Sequence, residues 1–115
     1  AALFDLEGFL HWGLNHYKAD QDPFQQSVVD HGGSNRLPAG DTHIVYPGKG
    51  APWSSLRLEA QREGFEDFEL LRRFKHRDEK EALRIIRKAV RGFADYTKDV
   101  RAFRAARRAL LEAVC

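Results

Sequence analysis

The chain has no methionine, and its one cysteine, Cys115, is the last of 115 residues. A lone cysteine cannot close an internal disulfide and offers no zinc spacing, so a disulfide-stapled scaffold and a cysteine-held metal are excluded. Also missing is any apolar run near the roughly 20 residues that cross a bilayer, and no membrane span is expected. The chain opens Ala1-Ala2 and carries no signal-peptide core, which reads as a processed product or a fragment and leaves the compartment open. What is present is ordinary for a globular chain: 43% apolar and 31% charged residues. The formal charge of +2 is unevenly divided, five Lys/Arg against eleven Asp/Glu in residues 1 to 70 and fourteen against six in 71 to 115. A basic half can mark a nucleic-acid surface. These charges alternate with regularly spaced apolar residues, so they read first as the solvated faces of amphipathic helices.

The most organised stretch is residues 40 to 71. Thr42, Ile44, Val45 and Tyr46 make a short strand that Pro47, Gly48, Gly50 and Pro52 terminate. Ser54 and Ser55 then offer caps, and Leu56, Ala60, Phe68 and Leu71 recur at helical spacing, predicting a helix from about 55 to 75. This is a β-loop-α unit of the kind that builds a β/α barrel, with the loop at the strand's end open to a ligand. Upstream, Phe9 to Leu14 form a near-continuous apolar run, as expected of a buried parallel strand. Residues 18 to 40 read as a long loop that packs down through Phe24, Val28 and Val29. Gly64 interrupts the first helix, and close packing against another backbone is the expected reason. Asp78 with Glu81 predicts the start of a second helix carrying Leu83, Ile86, Val90 and Phe93, ended by Gly92 or near Thr97. Asp99 predicts a third, carrying Val100, Phe103, Ala106, Leu110 and Val114.

The expected fold class is therefore α/β: two strands plus about three helices, the C-terminal fragment of a (β/α)8 barrel. Residues 1–75 would be the last strands, loop and helix of the barrel, and 76–115 a C-terminal helical hairpin. A full barrel needs roughly 250 residues. Two strands alone cannot form a sheet of normal width, so the missing N-terminal part of the barrel, or self-association, is an expected partner.

Sugar sites pair an aromatic platform with polar groups that orient hydroxyls. Trp12, Asn15, His16, Tyr17, Asp41, Tyr46 and Trp53 supply such groups at the two strand ends; the alternative for each is a core aromatic, a surface residue or a turn cap. The acids Glu59, Glu63, Glu66, Asp67 and Glu69 lie amid Arg57, Arg62, Arg72 and Arg73 and read as helix ion pairs, Glu69 and Arg73 at i,i+4. His11, His16, His31, His43 and His76 show no metal-binding spacing, and Gly48-Lys49-Gly50 does not complete a phosphate loop. No cofactor and no metal is expected.

The stretches GFLHWGLNHY, DPF, GDTHIVYPG and SSLRLEAQREGFEDFELL resemble the catalytic domain related to glycoside hydrolase family 123, over roughly residues 8 to 71. The resemblance implies a barrel enzyme acting on a terminal β-linked N-acetylhexosamine such as N-acetylgalactosamine, with the substrate's acetamido group as internal nucleophile. It places Trp12 and Asn15 near the sugar and Asp41 and Tyr46 at the mouth of the last strand; Tyr17 joins them as a candidate contact. The family's Asp-Glu catalytic pair belongs to an earlier strand. Glu66-Asp67 has the opposite order and lies on a helix, so the role is not carried onto it and no catalytic residue is assigned here. Three functions stand as expectations: part of a glycoside hydrolase, inactive alone; a small carbohydrate-binding or interaction module; and, least favoured, a basic helical nucleic-acid binder over residues 72 to 108.

Overall fold

The computed structural model describes residues 1–28 and 37–115. Val29 and the early glycine-rich part of the expected loop lie outside them. The described residues form three α-helices, α1 (Leu56–Arg77), α2 (Glu79–Ile86) and α3 (Val100–Val114), after a 3-10 turn at Ala2–Phe4. They contain no strand and no sheet; pairing is limited to the isolated antiparallel bridges Asn15–His43, Tyr46–Trp53 and Val90–Tyr96. This corrects the expected α/β class and the two-stranded barrel fragment. Phe9 to Leu14 is not a buried strand: Leu10 is 92% exposed and Phe9 60%. An apolar run becomes a parallel strand only with neighbours on both edges and helices on both faces, and here the chain pairs through single bridges instead. Thr42 to Tyr46 likewise does not alternate, since Thr42, His43 and Ile44 are all buried in succession.

The chain divides into two compact units, residues 10 to 63 and residues 1 to 9 with 64 to 115. In the second unit the helices start where their caps predict. Asp78 accepts from the Glu81 N–H at 3.0 Å and Asp99 from the Ala102 N–H at 2.8 Å, each satisfying an orphan donor of the first turn. Phe74, Ala82, Ile85 and Leu110 make the core, with Leu70, Leu71, Ala109, Ala113 and Val114 packed around it. Asp67 of α1 receives Arg107 of α3 at 2.9 Å, and Lys75 reaches Asp5 at 2.5 Å. Glu69 pairs with both Arg72 and Arg73; their hydrogen bonds, Arg72 first, pull its carboxyl down to about 2. α2 stops at Ile86 rather than running on through Val90 and Phe93. The Arg91–Asp95 ion pair closes a turn there, Val90 bridges Tyr96, and Phe93 stacks on Phe4 at 4.1 Å.

In the unit of residues 10 to 63, two segments lie backbone to backbone. The N–H of Gly13 donates to Asp41, that of His16 to Thr42 and that of Ile44 to Leu14, at 2.9 to 3.1 Å. A Cβ at Gly13 would sit 2.4 Å from the Thr42 carbonyl oxygen, so only glycine permits this approach. α1 starts on Ser55, whose hydroxyl accepts from the Leu58 N–H at 3.2 Å and donates to the Ile44 carbonyl at 2.5 Å.

Among the described residues, no helix is long and apolar enough to cross a membrane. Close packing is not the reason for Gly64: a Cβ there would meet nothing within 4 Å. Gly64→Ala is therefore expected to stabilise the chain by about 0.5–1 kcal/mol. Ile85→Ala is expected to cost about 2–5 kcal/mol through its cavity. Chemical denaturation followed by circular dichroism checks both, and a destabilising Gly64→Ala would contradict the open environment at that position.

Candidate functional site

The chemically rich region of the 10–63 unit is built around His43. Its side chain is fully buried, with 0% exposure. Nδ1 lies 3.0 Å from the Thr42 hydroxyl, while Nε2 is buried with no hydrogen-bond partner among the described residues. The rings of Tyr17 and Tyr46 flank the imidazole, each at 5.3 Å between centroids. Arg57, in the first turn of α1, donates from Nε to the His43 carbonyl at 3.2 Å and from Nη2 to the Tyr46 hydroxyl at 2.9 Å. Its guanidinium carbon lies 5.5 Å from the Tyr46 ring centre. The stem of Arg57 runs over Gly40, whose φ of +81° suits glycine and whose hydrogen leaves room a Cβ would take.

Burial, and then the Arg57 charge, hold the His43 pKa below its ordinary value. Burial and Tyr46 raise the Tyr17 phenol, with Arg57 opposing them. Tyr17 donates to the Val45 carbonyl, so it is a fixed hydroxyl rather than a free one.

Beyond this knot lies an aromatic surface. The backbones of Tyr46 and Trp53 exchange hydrogen bonds of 2.9 and 2.8 Å, closing the PGKGAP turn. Phe24 stacks on Tyr46 at 5.0 Å and meets Trp53 edge-on at 5.9 Å. Trp53 is 57% exposed and Phe24 55%. Exposed aromatic rings with polar groups at their edge can take a ligand that has one apolar face and a polar rim.

Of the candidate contacts, Tyr17 and Tyr46 come together around His43, and Tyr46 joins Trp53. Trp12 packs edge-on against His16 at 4.8 Å. Asn15 is exposed and bridges His43 through its backbone. Asp41 lies 4.0 Å from His11. Three residues that matter were not singled out for it from the sequence. His43 was weighed as a metal ligand, Arg57 as a helix ion-pair partner and Phe24 as loop packing, and none sits at a spacing that would mark it. Among the described residues, no group of three or more His, Cys, Asp or Glu is placed to hold a metal ion.

A depressed His43 pKa means that the unfolded chain takes up the proton first. The stability that neutral His43 contributes is complete above about 6.5 and is lost as pH falls below it. Thermal melting is expected to weaken from pH 7.5 to 5, with a slope of at most about 1.4 kcal/mol per pH unit from this residue. His43→Asn should flatten that slope. An unchanged slope in the variant would show that His43 is not the titrating group.

No curated protein matches the chain. The family profile described as glycoside hydrolase 123, catalytic domain, matches residues 1–74. That span contains the whole His43 knot and the Phe24–Tyr46–Trp53 surface, and it covers more than half of the sequence: the chain belongs to the glycoside hydrolase 123 catalytic-domain family.

Proposed function

We propose that residues 10 to 63 form a sugar-contacting surface of a glycoside hydrolase acting on a terminal β-linked N-acetylhexosamine. The exposed aromatic surface of Phe24, Tyr46 and Trp53, fixed from below by Arg57, carries this reading. A pyranose ring stacks on Trp53, with the edge of that surface formed by Phe24. Trp12, Asn15, Tyr17 and Asp41 with Tyr46 are the candidate polar and aromatic contacts around the same glycan.

Substrate-assisted cleavage needs little from this surface except position. The acetamido oxygen attacks the anomeric carbon as the glycosidic oxygen leaves with a proton from a carboxylic acid, and water later reopens the ring so formed. In this proposal the acid, and the carboxylate that orients the acetamide, lie outside this chain. Two carboxylates of α1 are already engaged, Glu59 by Ser54 at 2.6 Å and Arg62 at 2.7 Å, and Asp67 by Arg107. Residues 10 to 63 then bind and orient, and the chain alone does not hydrolyse.

Titrating the full chain with N-acetylgalactosamine and N-acetylglucosamine, with the indole N–H signals followed by NMR, tests this. The Trp53 signal is expected to move, and Trp53→Ala to weaken binding by about tenfold, the order of a lost aromatic stacking contact. An unmoved Trp53 signal overturns the binding role. Release of sugar from an aryl β-N-acetylgalactosaminide by this chain alone overturns the placement of the carboxylates elsewhere.

A further inference from the structure

His43 is the one histidine among the described residues whose side chain is fully buried. Its neutral ring fits its surroundings and its charged ring does not. Nδ1 faces the Thr42 hydroxyl, which can serve as donor or acceptor, whereas Nε2 has no partner among the described residues. A protonated imidazole carries an N–H at both positions, and one of them would be buried and unpaired. The titratable and charged groups against His43 come from three directions: Tyr17 from the upstream segment, Tyr46 from its own segment and Arg57 from the first turn of α1. None of these is a carboxylate, and Arg57 adds a second positive charge. The ring of His16, also upstream, packs on Trp12. Acids close in sequence are engaged elsewhere: Asp41 lies 4.0 Å from His11, and Glu59 meets Ser54 and Arg62. A buried cation beside a guanidinium, without a counter-ion, destabilises this arrangement.

We infer that His43 is a proton-operated latch beneath the aromatic surface: neutral, it holds Tyr46 in place for a sugar; protonated, it leaves the knot and the surface loses its shape. Two contacts transmit the change. The imidazole packs edge-on against the Tyr46 ring at 5.3 Å, and Arg57 donates both to the His43 carbonyl and to the Tyr46 hydroxyl. Tyr46 in turn stacks on Phe24 and exchanges backbone hydrogen bonds with Trp53. Departure of the imidazole therefore removes support from every member of the surface. The direction agrees with the depressed His43 pKa, caused first by burial and then by Arg57. This inference rests on the reading of Phe24, Tyr46 and Trp53 as sugar-contacting, and adds that sugar and proton compete. By linkage, a sugar that binds the neutral form makes His43 harder to protonate, to the same degree that protonation weakens sugar binding.

The test titrates the full chain without ligand from about pH 7.5 to 5, following the His43 imidazole, the Tyr46 ring and the Trp53 indole N–H by NMR. The Tyr46 and Trp53 signals are expected to move with the His43 midpoint, while circular dichroism shows the helices retained. N-acetylgalactosamine is expected to bind about tenfold more weakly one pH unit below that midpoint than well above it, since only the neutral fraction is competent. Saturating sugar should move the His43 titration to lower pH. His43→Asn is expected to abolish the pH dependence of both the Trp53 signal and the affinity. His76→Gln, at an exposed position of α1, is expected to leave it intact. Should the asparagine variant not fold, the wild-type titration decides alone. Tyr46 and Trp53 signals that stay fixed, or that move at a midpoint other than that of His43, overturn the inference. An affinity that is constant through the His43 midpoint also overturns it. If neutral sugars bind at no pH, the sugar-contacting reading fails, and the ligand-free titration still decides whether His43 governs the surface.

Discussion

The unit of residues 10 to 63 depends on one side chain, Arg57. Without a strand ladder, this unit holds the path of residues 40 to 46 through single backbone bonds to residues 13 to 16 and 53 and through side chains at the start of α1. Arg57 supplies a fixed point: it stands on the first turn of a helix and donates to the His43 carbonyl and the Tyr46 hydroxyl together. A charge-assisted bond contributes more than a neutral one, and a planar fork reaching two acceptors also sets an angle. From that angle follow the ring of Tyr46, its stacking on Phe24 and the exposure of Trp53. The same charge acts on His43, adding to the effect of burial in keeping the imidazole neutral. One residue thereby holds Tyr46 in the aromatic surface and adds to the burial that keeps the imidazole beneath it neutral.

The other unit is held differently. Its buried apolar core is small, four buried residues with a partly buried surround, and its helix ends are defined by polar groups. Asp78 does two things at one corner: its N–H donates to the Phe74 carbonyl at the end of α1, and its carboxylate caps α2. A single residue between two helices forces a turn whose direction the caps decide. Across it, the Asp67–Arg107 pair is partly shielded, with side chains 17% and 31% exposed. Such a pair adds modest energy but specifies the register of α3 against α1, which fully exposed i,i+4 pairs cannot do.

The helices were legible in the sequence because their signals are local. Ser55, Asp78 and Asp99 each mark a start that the hydrogen bonds show. The end of α2 was not legible: Val90 and Phe93 continue the 3-4-3 spacing, yet the Arg91–Asp95 pair and the stacking of Phe93 on Phe4 prevail over it. The strands failed for a related reason. FLHWGL and THIVY have the composition of buried strands, but composition reports a preference that only neighbours can satisfy. In this chain the preference is realised as one bridge at each of Asn15–His43 and Tyr46–Trp53. The site was legible by residue type and not by partnership: Tyr17, Tyr46 and Trp53 are aromatics at segment ends, whereas Arg57 and Phe24 join them only through the fold.

Charge gives the clearest contrast between what composition dictates and what folding selects. With fourteen cations against six carboxylates in residues 71 to 115, some cations must remain without a carboxylate whatever the structure. Helical spacing identifies several that do not, among them Arg84 with Glu81 and Arg91 with Asp95. Spacing says nothing of Arg107, whose partner lies forty positions earlier. Its pairing across α1 orients α3: once Arg107 is turned toward Asp67 and Leu110 toward the core, Arg101, Arg104 and Arg108 share the remaining face. Random placement of surplus cations would scatter them and lower their mutual repulsion. Their concentration in one row leaves like charges about one helical turn apart, a repulsion that Glu112, four residues beyond Arg108 on the same face, offsets in part.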